Sequence, residues 1–275
     1  MRLGLVSDLH IDHHPEVTAL IAARAAEVRL DALVVAGDLT PRLDGIRDTL
    51  AAIRAAVPHV VFVPGNHDLW CEDSRKRYLQ ELADVAASAG AAYLPAGPVT
   101  LGPITFVGQT GWYDYSLADR SLEIPPEAYV EGRFGKLFWS DKRFVHWGLS
   151  DTEVTAWMAE RLAADLAALA DGARTLIVTH VLPFAELVVR RPLPWGFVGG
   201  FLGAARLGEV ILAAARRLRV ERLWSGHTHF RVSAEISGLA AETSPIGYPR
   251  EVARQGDGTL ASHVAERVRV LEVDA

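Results

Sequence analysis

The 275-residue sequence predicts an α/β domain organised around parallel strands. Two observations carry that expectation. Short apolar runs alternate with amphipathic segments of helical period over the first two-thirds of the chain. Those runs are also too continuously apolar for strands with one wet face, so helices should cover the sheet on both sides. Run, polar loop, helix, run is the order that parallel strands with crossover helices require.

Leu3 to Val6 reads as the first buried strand, and a helix follows from about Pro15, since proline is tolerated at a first helical position. ALVVAGD at Ala32 to Asp38 is the second strand, followed by a helix through Leu43 to Ala56. VVFVPGNHD at Val60 to Asp68 repeats the pattern, with a helix from Ser74 to Ala89. AYLPAGPVTLGPITFVGQ then reads as short strands and tight turns, because Gly and Pro alternate with β-branched residues. Ser150 and Glu153 form a capping box ahead of a helix carrying Val154, Met158, Leu162 and Leu166 at helical spacing, with Gly172 as its stop. TLIVTH at Thr175 to His180 and ERLWSGHTH at Glu221 to His229 are two further strands that run into histidines. The tail from Arg231 to Asp274 alternates in places, as in RVRVLEV, and reads as antiparallel strands. No linker divides the chain, so residues 1–275 are expected to form one domain with a cap or insertion at 109–150.

Five of these strands end in side chains that bind metals. Asp8 and His10 follow the first, Asp38 the second and Asn66 the third; His180 ends the fourth, and His227 with His229 follows the fifth. In open α/β sheets the ligand crevice lies outside the carboxyl ends of the strands, so all five loops can converge there. Imidazoles mixed with carboxylates suit Zn, Fe, Mn or Ni better than Ca²⁺ or Mg²⁺. Seven ligands exceed the needs of one tetrahedral ion and suit two divalent ions sharing a carboxylate. Two ions about 3.5–4 Å apart can clamp both oxygens of an in-line phosphoryl displacement.

S-D-L-H at Ser7–His10, G-D at Gly37–Asp38, G-N-H-D at Gly65–Asp68, His180 and G-H-T-H at Gly226–His229 resemble the calcineurin-like metallophosphoesterases. The blocks stand in family order and span residues 7 to 229. The resemblance implies a four-layer α/β/β/α sandwich with an aromatic-rich insertion, and a dinuclear centre. It assigns Asp8, His10 and His229 to one metal, Asn66, His180 and His227 to the other, and Asp38 to both. It implies hydrolysis of a phosphodiester or phosphomonoester by a hydroxide activated at that centre. His67 would then serve as the proton donor, with Asp68 orienting it. The same fold also serves as a catalytically silent scaffold, but a scaffold has no need for the complete ligand set and His67.

Two aromatic and basic segments are candidates for the substrate. In Gln109–Ser150, Trp112, Tyr113 and Tyr115 could stack on a base, which favours a small nucleotide-like phosphodiester over a protein phosphatase or nuclease substrate. The alternative is an insertion that uses its aromatics for a small core of its own. Arg190, Arg191 and Trp195 open a second wall whose glycines suggest a flexible approach to the site. Asp12, His13 and His14 read as solvated loop. A net charge of −6 argues against a dedicated nucleic-acid binder. The single cysteine, Cys71, suits a reducing compartment. MRLGLVSD has no basic region followed by a signal-length apolar stretch, so a cytoplasmic protein with no membrane partner is expected.

Overall fold

Alternate residues of each central strand face different layers, and both faces are dry. In β1 (Arg2–Val6), Leu3 and Leu5 turn one way and Val6 the other, all fully buried. In β2 (Ala32–Ala36), Ala32, Val34 and Ala36 share the face of Leu5, while Leu33 and Val35 share that of Val6. β3 (His59–Val63) divides Val61 and Val63 from Val60 and Phe62 in the same way. This double burial is the physical reason the runs contain almost no polar residues.

The computed structural model describes residues 1–255 and 258–274. β1, β2 and β3 pair in parallel with β4 (Ala92–Tyr93), and β13 (Arg269–Glu272) closes the other edge antiparallel to β1. The sheet order is β13-β1-β2-β3-β4. The second sheet contains β5 (Val99–Leu101), β6 (Ile104–Gln109), β9 (Arg174–Thr179), β10 (Arg219–Ser225), β11 (Ser233–Ile236) and β12 (Leu239–Thr243). Its order is β11-β12-β10-β9-β6-β5. Leu3, Leu5, Val34 and Val61 from the first sheet meet Phe106, Leu176, Val178 and Trp224 from the second in one apolar layer.

Helices cover the outer faces. Ile21 of α1 (Val17–Glu27), Leu50 of α2 (Leu43–Ala56) and Leu82 of α4 (Leu82–Ser88) pack on the first sheet. A short α3 (Ser74–Lys76) leads into α4 through a π-type turn over Arg77–Glu81. Leu162 of α7 (Asp151–Ala167) and Ile211 of α8 (Ala205–Ala215) pack on the second sheet. The layers are therefore helix, sheet, sheet, helix, as the resemblance implies. Between β6 and α7 the chain forms α5 (Pro126–Glu131), a hairpin of β7 (Arg133–Phe134) and β8 (Leu137–Phe138), and α6 (Asp141–Phe144).

Three expectations need correction. The tail supplies β11, β12 and β13, but α9 (Pro249–Gln255) and α10 (Leu260–Arg267) intervene. Both are short, and α10 offers few apolar anchors to reveal its period: Val264 is its one fully buried aliphatic side chain. The glycine-spaced stretch after Arg191 is an ordered 3-10 segment, Trp195–Phe201, and not a flexible approach. Gly203 lies so close to the Leu182 carbonyl that no side chain would fit. His14, expected in solvent, is buried.

The capping box is present in full. Glu153 N–H donates to Ser150 Oγ at 3.4 Å, and Ser150 N–H donates to Glu153 Oε2 at 2.8 Å. No helix of the described residues is long and apolar enough to cross a membrane. Ser150→Ala is expected to lower stability by about 1 kcal/mol, the usual worth of an N-cap hydroxyl, with metal content unchanged. Urea denaturation measures it; an unchanged midpoint would mean that Glu153 alone holds the helix start.

Candidate metal centre

The loops that follow β1, β2, β3, β9 and β10 meet at one end of the two sheets. They are stitched by their backbones: Asp8 N–H donates to the Gly37 carbonyl at 2.9 Å, His10 N–H to the Asp38 carbonyl at 2.9 Å, and Gly226 N–H to the His180 carbonyl at 2.9 Å. Five of the expected ligands hold left-handed backbone conformations: Asp8, His10, Asp38, His227 and His229 have φ between +44° and +69°. Such conformations are sparsely populated for residues other than glycine and persist only where surrounding contacts over-determine them.

Asp68 supplies much of that determination. Its buried carboxylate accepts N–H bonds from Gly65 (2.8 Å), Asp38 (3.0 Å), Leu39 (2.8 Å) and Thr40 (3.0 Å). The expected orienting contact with His67 is replaced by this clamp, because backbone donors occupy both oxygens. Gly65 is required beside it, since a Cβ there would strike the Asp38 carboxylate.

All seven expected ligands converge. Asp8, His10, Asp38 and His229 each place a donor atom within 4.8 Å of one another, and Asp38, His180 and His227 do the same. Asp38 is common to both groups. Asn66 joins the second, its Oδ1 lying 3.1 Å from His180 Nε2. The donor chemistry fits cations. His180 Nδ1 donates to the Ala36 carbonyl at 2.7 Å, so the Nε2 of the neutral ring aims a lone pair at Asn66 Oδ1 and at Asp38 Oδ1, 3.4 Å away. That arrangement of acceptors is repulsive without a positive charge among them. His229 Nδ1 is held by Glu251 Oε2 at 2.7 Å, which leaves its Nε2 facing His10 Nε2 at 3.0 Å. His227 Nε2 donates to the Phe201 carbonyl at 3.0 Å and leaves Nδ1 free to ligate.

Protonation follows the same division. Burial lowers every one of these imidazoles. At His180 the Asp38 charge overrides it and raises the ring to about 9; at His229, Asp8 and Glu251 raise it to about 10. His227 falls to about 4 through burial and the charge on His180, and His10 falls well below its ordinary value through burial and His229. In each half-site one imidazole is pulled toward its charged form by a carboxylate, and its neighbour is pushed toward the neutral form that can ligate.

Three residues of the site carried no mark in the sequence. Buried Asp141 accepts Asn66 Nδ2–H at 2.9 Å and Trp70 Nε1–H at 2.8 Å on one oxygen, and Trp139 Nε1–H at 3.1 Å on the other. It therefore orients a metal ligand and two walls together. Tyr248 places its hydroxyl 3.3 Å from His67 Nε2 and stacks on His10. Glu251 orients His229. Their partners are 75, 181 and 22 positions away, so no local spacing could have shown them.

The two substrate segments part company. A cavity of about 450 Å³ opens over the centre, lined by Asp38, Asn66 and His67, by Leu137 to Asp141, and by Val188 to Arg191 with Trp195 and Phe197. Arg190, Arg191 and Trp195 all line it. Trp112 and Tyr113 are buried in the core, Tyr115 bonds to Asp151, and none of the three lines this cavity; they stand along a second, smaller one with Lys142 and Asp151. Their apolar surface is spent on packing: Tyr113 meets Phe201 edge-on, and Trp112 stacks on Tyr113.

Asp141→Asn should weaken the metal half-site of Asn66, His180 and His227 by about 10–100-fold, the usual effect of losing a partner that orients a ligand. The half-site of Asp8, His10 and His229 should keep its affinity. Calorimetric metal titration separates the two; equal weakening of both would contradict the assignment.

Residues 1–231 match the family model described as calcineurin-like phosphoesterase. The chain is 27% identical, over 268 residues, to the [acyl-carrier-protein] phosphodiesterase PptH of Mycobacterium tuberculosis, covering 92% of this chain and 80% of that protein. The crystal structure of phosphopantetheinyl hydrolase (PptH) from the same organism superposes with a TM-score of 0.76 at 24% identity, over 99% of this chain and 96% of that one. A dimetal phosphatase from Danio rerio shares the fold more loosely, with a TM-score of 0.51 and 18% identity over 88% and 86% of the two chains. With most of its length matched and its His/Asp clusters suited to two divalent ions, the chain belongs to the calcineurin-like phosphoesterases and is a metal-dependent phosphoester hydrolase.

Proposed function

We propose that the enzyme hydrolyses the phosphodiester that joins phosphopantetheine to an acyl carrier protein. The observation that carries this reading is the cavity. It has about 450 Å³ of room over the centre, and apolar Leu137, Phe138, Val188 and Phe197 line it together with the polar groups of the metal centre. A flexible arm of amides and methylenes suits such a lining, and Trp112 and Tyr113, the rings the sequence offered for base stacking, are buried away from it. The similarity to PptH points to the same substrate class. In this reading residues 1–275 are one domain, and the hairpin and α6 within 109–150 form a wall of the substrate cavity. The location would be cytoplasmic, where carrier proteins work and Cys71 stays reduced.

Asp8, His10, Asp38 and His229 would hold one metal, and Asp38, Asn66, His180 and His227 the other. Two divalent ions there would bring a water to near-neutral pKa and neutralise charge on the phosphoryl oxygens. The protein supplies the rest. His67 lines the cavity, its ring stacked on Trp70 at 4.0 Å and its Nε2 4.0 Å from Asp38 Oδ2. It would deliver the proton that the departing oxygen needs. The Tyr248 hydroxyl can accept from Nε2 before that transfer and donate to it afterwards, holding the ring through both states. Burial and the Asp38 charge push the Tyr248 pKa upward, so it stays a neutral hydroxyl.

The deciding experiment incubates Mn²⁺-reloaded enzyme with phosphopantetheinylated carrier protein and follows the carrier's mass. Loss of the arm supports the reading. An intact carrier, with a chromogenic diester still turned over, would reject it in favour of another diester. His67→Ala should retain both metals and lower kcat by about 10²–10⁴-fold, the range of a general acid, whereas Asp38→Asn should lose metal as well as turnover. Full activity of metal-loaded His67→Ala would remove the role assigned to that ring.

A further inference from the structure

The mouth of the cavity carries four exposed arginines on an otherwise acidic protein. Arg190 and Arg191 come from the segment before the 3-10 turn, and Arg250 and Arg254, four residues apart, from α9. The whole chain has a formal charge of −6, so this concentration runs against its average. Among the described residues, none of the four forms an ion pair with a carboxylate. Arg190 donates to the Leu117 carbonyl, Arg191 lies over the Trp195 and Phe230 rings, and Arg250 lies over Tyr248. Two carboxylates outside the metal cluster and Asp141 line the same mouth. Glu251 is engaged with His229 and the Tyr248 N–H, and Asp119 accepts from Ser121.

Large apolar side chains accompany the arginines. Leu193 is 44% exposed, Trp195 51% and Phe138 42%; Trp195 and Phe138 line the cavity, and Leu193 lies between Arg191 and Trp195 in the chain. A site for a small free anion would bury converging guanidinium groups. Here the cations are solvent-exposed, come from two separate segments and stand among exposed Trp, Phe and Leu. Exposed Trp and Arg around a concave centre is the composition of a protein-recognition surface.

From this we propose that the mouth is a docking surface for an acidic face of the protein that bears the scissile phosphodiester. The inference rests on the carrier-protein reading and deepens it. The partner presents carboxylates to Arg190, Arg191, Arg250 and Arg254, with an apolar side chain against Trp195. Its phosphodiester-linked arm then passes through the mouth to the metals. Rim charges of this kind act mainly on encounter rate and salt dependence, and leave the chemical step unaltered.

The test measures binding and turnover separately. Phosphopantetheinylated carrier protein of known acidic net charge is titrated onto the metal-loaded enzyme, and its hydrolysis is followed beside that of a chromogenic diester. For Arg254→Glu we expect carrier kcat/KM to fall by about 10-fold through KM, with chromogenic turnover within about twofold of the parent. Arg191→Glu should weaken carrier binding in the same direction. Raising NaCl from 50 to 300 mM should weaken binding to the parent markedly and to Arg191→Glu/Arg254→Glu little. Carrier binding that is indifferent to both salt and reversal would overturn the docking surface, as would tighter, equally Arg-dependent binding of a single-stranded oligonucleotide. Arg-dependent binding without hydrolysis would keep the surface and reject the carrier protein as substrate, so the two failures read differently.

Discussion

The buried Asp68 carboxylate ties together the loops on which the site depends. Left to themselves, Asp38 and its neighbours would avoid the left-handed backbone that the centre demands, at about 1–3 kcal/mol for each such residue. Four N–H bonds from Gly65, Asp38, Leu39 and Thr40 to one carboxylate remove that freedom and lock the β2 and β3 loops to each other. His67 N–H in turn donates to Asp38 Oδ1 at 2.8 Å, so the turn that carries His67 also fixes the Asp38 carboxylate. Position and chemistry come from the same few bonds.

A second ring of contacts sets which atom of each ligand faces inward. The Ala36 and Phe201 carbonyls select Nε2 of His180 and Nδ1 of His227, Glu251 selects Nε2 of His229, and Asp141 turns the Asn66 carbonyl oxygen toward His180. These partners come from β2, the 3-10 segment at Trp195–Phe201, α9 and α6. Every layer around the mouth therefore contributes to the centre's electronic arrangement, and the walls cannot move far without disturbing it. Trp139 illustrates the coupling. It stacks on Phe201 at 4.9 Å, meets the His227 ring edge-on and donates to Asp141, joining the wall to both sides of one half-site.

The walls surround the metal centre with apolar side chains, Leu137, Phe138, Val188 and Phe197, and with exposed arginines. On the proposed reading these would answer different parts of a substrate, the first its arm and the second the protein that bears it.

Much of this was legible in the sequence, and for a definite reason. The strands are buried on both faces, so their apolar runs stand out, and each site-bearing strand ends in a residue type that can bind metal. Fold class and the convergence of the seven candidate ligands follow from local pattern read in order, as do the Ser150 capping box and the bounds of α2. What stayed hidden depends on pairs of residues far apart in the chain. Trp112, Tyr113 and Tyr115 looked like stacking surfaces because aromatics in a long segment have no local feature that tells core from cleft; only the packing against Phe201 and Asp151 decides it. Asp68 stands next to His67 in the chain, yet its side chain turns to the backbone of the β2 loop. Asp141, Tyr248 and Glu251 gain their meaning solely from partners brought to them by the closing of two sheets. The sequence by itself determined which residues can carry the chemistry, because strand burial and ligand type are local properties. Tertiary structure decided how those residues are held and what may approach them, because hydrogen-bond partners and cavity walls are properties of distance in space.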